Sequence, residues 1–184
     1  MMPIGPLMIE HRLIERMIDV MHEQFDVFEK EKKLNSEFLE RAVDFIRTYA
    51  DRCHHGKEED ILFRELRIKE LKEEHRHAME DLIEEHRWGR KTTTRLVEAN
   101  KRYMQGEEDA MSTVTECIRS LVQFYPKHIE KEDKHFFIPC MSYFTEAEQQ
   151  AILREEWEFD RTLTHERYRN IVMIVEKELT SRTL

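Results

Sequence analysis

The chain has 184 residues, 30 of them Lys or Arg and 39 Asp or Glu, for a formal charge of −9. That length suits one domain over 1–184, and the acidic balance disfavours a nucleic-acid partner. With 4 Gly and 4 Pro the chain is too poor in turn-formers for a sandwich or barrel, and no stretch approaches the ~18 apolar residues of a membrane span, so an all-α fold without a membrane partner is expected.

The first helix is predicted over about residues 7–29, with a seam of Leu7, Ile14, Ile18, Met21, Phe25 and Phe28. His11 takes the seam position between Leu7 and Ile14. Asn35–Ser36, followed by Glu37 and Glu40, reads as the cap and acidic first turn of a second helix. That helix carries Phe38, Ala42, Phe45, Ile46 and Tyr49 and continues past Gly56 through Ile61, Leu62 and Leu66. The third helix is predicted over 73–104, with Met79, Leu82, His86, Gly89, Thr93, Leu96 and Tyr103 on one stripe and Gly106 ending it. The fourth runs from about 107 to 139 through Val114, Cys117, Leu121, Tyr125, His128, Glu132 and His135, with a kink expected at Pro126. A last helix starts after Thr145, where T-E-A-E resembles a capping box, and reaches about 179. Its thin apolar stripe places it outside the core, available for packing or for a homodimer. Short connections make the first four helices an antiparallel up-down four-helix bundle over about 7–140, with an additional C-terminal helix over about 145–180.

Histidines therefore recur on the core stripe of four helices, which is how bundles build metal sites. An internal repeat selects the ligands. His54-His55-Gly-Lys-Glu58-Glu59-Asp-Ile-Leu-Phe63 and His128-Ile-Glu-Lys-Glu132-Asp133-Lys-His-Phe-Phe137 both read H-x-x-K-E-[ED]-x-x-[LF]-F. Ile129 stands opposite His55, so the repeat chooses His54 and His128, with Glu58 and Glu132 four residues on. An i, i+4 pair shares a helix face, so imidazole and carboxylate can serve one site. His11 and His86 complete a set of four imidazoles and two carboxylates. Nitrogen and oxygen donors without thiolate suit iron or manganese better than a structural zinc.

The remaining histidines are set aside. His22 lies eleven residues after His11, about 16 Å further along its helix, and is expected in solvent. His75, His77 and His165 read as exposed. His55 either neighbours the ligands or faces solvent, with solvent preferred. His135 is read as a core histidine, then as a hydrogen-bonding neighbour, then as an extra ligand. Asp133 is the alternative acid on the fourth helix. Tyr49 and Tyr125 can pack or line the site. Cys53, Cys117 and Cys140 form no CxxC pair, which with the lack of an export signal in MMPIGPLMIEHR points to a reduced, cytoplasmic compartment; Cys53 is expected to be buried and inert.

EHRLIER around His11, CHHGKEEDILF around His54, EEHRWGR around His86 and HIEKEDKHFF around His128 occur in an order that resembles the hemerythrin-like family, or HHE cation-binding domain. The resemblance covers about 7–140 and implies a four-helix bundle holding an oxo- or hydroxo-bridged centre of two iron ions. Oxygen carriage, oxygen, redox or iron sensing, and nitric-oxide-linked repair of iron centres are the functions it implies. Carriers of the family have HxxxH on the third helix, where this chain has Leu82 and Arg90 around His86. They use HxxxxD on the fourth, where Glu132 and Asp133 both fit; the repeat favours Glu132, as in repair-type members with four His and two Glu. A more open second iron suits redox chemistry with oxygen, peroxide or nitric oxide better than oxygen carriage. The expectation is binding or sensing of such a small ligand, with two alternatives: an enzyme that reduces nitric oxide or peroxide or repairs iron centres, and a metal-free helical interaction module.

Overall fold

The structure, a computed structural model, describes residues 1–31, 33–161 and 164–182. Six helices follow one another: α1, Ile4–Glu31; α2, residues 36–67; α3, Glu73–Met104; α4, residues 110–140; α5, Glu146–Asp160; and α6, Thr164–Arg182. Helix α1 starts a turn earlier than its seam suggested, because Ile4 is buried and Pro6 falls in the first turn, where no intrahelical amide bond is lost. Asn35 caps α2 by accepting from the Phe38 amide at 3.1 Å, and Gly106, at φ 92°, terminates α3. Thr145 and Glu148 form the capping box that opens α5.

Helices α1 to α4 form the antiparallel bundle: α4 packs on α1 and α3, and α2 closes the ring against α1 and α3. The C-terminal segment is helical as expected but divided. Helix α5 ends at Asp160 and α6 begins at Thr164; α5 lies against the 58–62 turn of α2, and α6 packs on α1 and α2. Among the described residues no helix is long and apolar enough to cross a membrane.

Two apolar clusters fill the interior. One gathers Ile14, Met17, Met21, Phe28, Phe45, Leu96 and Leu121; the other gathers Leu7, Leu62, Phe63, Leu82, Phe136 and Phe137. Between them lies a polar layer. The helical ladder widens next to it, with π-helical turns at Ile46–His55 and Glu58–Leu62 in α2 and at Glu132–Phe136 in α4. Pro126 lies inside the α-helical part of α4, and the departure from α geometry comes six residues later, at Glu132.

Candidate metal centre

The polar layer is built by four helices, one position each from α1 and α3 and an i, i+4 pair each from α2 and α4. His11, His54, Glu58, His86, His128 and Glu132 are all buried, none more than 2% exposed. Each carboxylate faces histidines on two sides. Glu58 turns Oε1 to His54 Nε2 at 3.3 Å and Oε2 to His86 Nε2 at 3.4 Å. Glu132 turns Oε2 to His11 Nε2 at 3.2 Å, and Oε1 to His128 Nε2 at 3.4 Å and His86 Nε2 at 3.6 Å. The structure thus brings together all six residues that the sequence singled out.

The outward edges of the same rings are held by carboxylates. Nδ1–H of His11 donates to Asp133 at 2.7 Å, His54 to Glu10 at 2.8 Å, His86 to Glu59 at 2.8 Å and His128 to Glu85 at 2.7 Å. Four outward Nδ1 bonds leave four Nε2 atoms facing inward, the orientation that metal-binding imidazoles require. Lys57 joins Glu10, Lys131 joins Glu85, Arg12 joins Asp133 and Arg90 joins Glu59.

These partners follow the internal repeat. In each copy the lysine pairs with the glutamate that holds its own copy's histidine (Lys57 with Glu10, which holds His54; Lys131 with Glu85, which holds His128), and the second acid orients a histidine of another helix, Glu59 that of α3 and Asp133 that of α1. The lysine, the second acid and the E-H step of EHR were the signals that could have found Glu10, Lys57, Glu59, Glu85 and Lys131. Asp133, weighed as an alternative acid, takes the orienting place beside His11.

The charges interlock. Burial opposes a proton on His54, but Glu58 and Glu10 outweigh it and hold the ring up to about 10. On His86 the same burial is overcome by Glu132 and Glu59, to about 9. Glu132 is pulled well below the carboxylate range against its burial by His128, His11 and His86. Even so, Nε2 of all four histidines and both oxygens of Glu58 and Glu132 have no aligned hydrogen-bond partner among the described residues. Buried polar atoms without an aligned partner are costly to keep so. Cations held by inward nitrogens and bridging carboxylates remove that cost, and the donor set fits hard-to-intermediate metals. The donors fall into two groups, each within 4.8 Å: His11, His54, Glu58 and Glu132, and His55, His86 and His128.

Several set-aside residues sit elsewhere than expected. His55 is not in solvent: it is 3% exposed, stacked on His86 with ring centroids 3.9 Å apart. His135 is exposed rather than in the core, because the π turn at Glu132–Phe136 rotates it outward. His165 is only partly exposed and approaches Asp160 at 3.0 Å, Glu10 at 3.2 Å and the Tyr49 hydroxyl at 3.0 Å. His75 is half-buried against the Tyr143 hydroxyl at 2.7 Å. His22 and His77 are exposed. Cys53 is buried, and burial pushes its thiol up to about 12. Tyr125 lines a cleft of about 180 Å³ with Asp51, His55, Gly89 and Arg90.

The family model of the hemerythrin HHE cation-binding domain matches residues 2–138, the span that contains every residue of this layer. The chain matches no curated protein and no solved structure.

Proposed function

The chain belongs to the hemerythrin HHE cation-binding domain family, and on that footing we propose that it is a non-haem di-iron protein that binds or senses a small ligand such as oxygen, peroxide or nitric oxide. The observation that carries this reading is the placement of Glu58 and Glu132, each with one oxygen toward His11 or His54 and the other toward His86 or His128. In it, His11 and His54 would hold one iron and His86 and His128 the other, with Glu58 and Glu132 shared between them. Two bridged irons supply a redox-active pair with room for a small ligand.

The protein's own contribution is positional and electrostatic. Asp133, Glu10, Glu59 and Glu85 fix the orientation of the four rings. Phe63 and Phe137, both fully buried, lie flat against His86 and His11 at 6.2 and 5.7 Å and keep water from that side of the layer. The carboxylates that face the four rings are placed where they would hold or orient a metal's ligands.

We place the protein in the cytoplasm, with neither nucleic acid nor membrane as partner and with α5 and α6 free for packing or a homodimer. The test is a titration of the anaerobic ferrous-loaded protein with nitric oxide, followed by absorption. New visible bands saturating at a fixed ratio to iron are expected. Two bound irons with a spectrum indifferent to nitric oxide, oxygen and peroxide would remove the small-ligand reading.

A further inference from the structure

His55 lies inside one copy of the internal repeat, but Ile129 occupies its place in the other copy. Ile129 is buried and packs in the apolar core, which shows what this register asks of a side chain with only packing to do. In α2 the place holds an imidazole instead. Its ring is walled by other imidazoles: stacked on His86 at 3.9 Å, tilted to His54 at 5.6 Å and edge-on to His128 at 5.6 Å.

A buried histidine is ordinarily held by a hydrogen bond. Nδ1 of His55 has none among the described residues. The nearest carboxylate, Asp51, stands 3.6 Å from Nδ1 and is already engaged by Arg90 at 2.6 Å. A ring nitrogen of His55 does lie within 4.8 Å of nitrogens of His86 and His128. Three imidazole nitrogens so placed, with no hydrogen bond joining them among the described residues, are joined favourably by a cation.

We propose that His55 is a fifth imidazole ligand, serving the metal position of His86 and His128. This rests on the two-metal reading above and deepens it. The two positions are then unequal. His11 and His54 share theirs with Glu58 Oε1 and Glu132 Oε2, four protein donors; His86, His128 and His55 share theirs with Glu58 Oε2 and Glu132 Oε1, five. The five-donor position fills first, and the four-donor position keeps more room for a small ligand.

The test uses cobalt(II) as probe, with the intact chain and its His55→Ala and His55→Gln variants. Competition against a chromophoric chelator measures two stepwise affinities, and proton spectra of the dicobalt protein count the strongly shifted, exchangeable imidazole N–H signals, one per ligated ring. The intact chain is expected to bind two cobalt ions and to show five such signals. Either variant should show four and bind its tighter equivalent at least about tenfold more weakly. Unchanged affinities in the variants, or four signals in the intact chain, would overturn the role of His55 alone. Fewer than two bound ions in the intact chain would overturn the two-metal reading and this inference with it. The signal count on the intact protein decides even if neither variant folds.

Discussion

Lys57 has no exposed surface, and its ammonium lies between Glu10 and Asp160, bonded to the latter at 2.7 and 2.8 Å. Its counterpart in the repeat, Lys131, pairs with Glu85 in a position about one-third exposed. Removing one partner of a buried pair leaves uncompensated charge, so Lys57→Ala should cost about 3–5 kcal/mol. That is a fall in Tm of roughly 10 °C for a domain of this size. Lys131→Ala should cost under about 1 kcal/mol, since water screens that pair. Thermal unfolding of both variants checks the contrast, and equal losses would contradict it. Glu156, contributed by α5, is fully buried with both oxygens unpartnered among the described residues, and burial pushes it up to about 8 from 4.5. Between those values the folded chain keeps a proton that the unfolded chain releases, so this residue makes stability fall as pH rises across that window. Glu156→Gln removes the effect: Tm should rise above that of the parent at pH 8.5 and differ little at pH 4.5. Parallel curves for the two proteins would show that Glu156 is ionised when folded.

Helix ends were the most legible elements, because capping is chemistry between near neighbours. Asn35, Gly106 and the Thr145–Glu148 box act as their residue types suggest. Asn35→Ala, which strips the acceptor from the Phe38 amide, should cost about 1 kcal/mol, read as a shifted denaturation midpoint with unchanged slope. The layer was legible too, from one interrupted seam and one repeat. His11 interrupts an apolar seam, and the H-x-x-K-E repeat pairs His54 with Glu58 and His128 with Glu132. Periodicity failed where the ladder widens. A π turn bonds i to i+5, so residues beyond it appear on a different face from the one an α-helix would give them. Two such departures bury His55 beside His54, in α2, and turn His135 to solvent, in α4. The break between Asp160 and Thr164 was missed because no Gly or Pro marks it.

At the scale of the molecule, a pseudo-symmetric core is covered unsymmetrically. The partners of His54 lie under α5 and α6, where Asp160 and His165 close over Glu10 and Lys57; those of His128 border an open surface lined by Trp88, Lys127 and Lys131. The long-range half of this could not be read from sequence, since Lys57 and Asp160 are brought together only by the docking of α5. Metal and protons compete for the layer as a whole. Because His54 and His86 are held up to about 10 and 9, the metal-free protein carries protons there at neutral pH. Those protons stabilise the metal-free fold below the ordinary histidine value of 6.5 and cease to do so as pH rises through 9 to 10. Loading must displace them, so apparent metal affinity should weaken as pH falls, by up to about tenfold per pH unit for each proton displaced. The gap in Tm between loaded and metal-free protein should therefore widen from pH 6 to pH 9; a constant gap would mean that the rings are already neutral. The most direct measurement is iron content per chain, taken with the absorption spectrum before and after reduction and return to air. Two irons, with near-ultraviolet bands that bleach on reduction and recover in air, are expected, and Glu58→Ala should lose both metal and bands. A chain that neither carries iron nor is stabilised by added ferrous ion would contradict the di-iron centre.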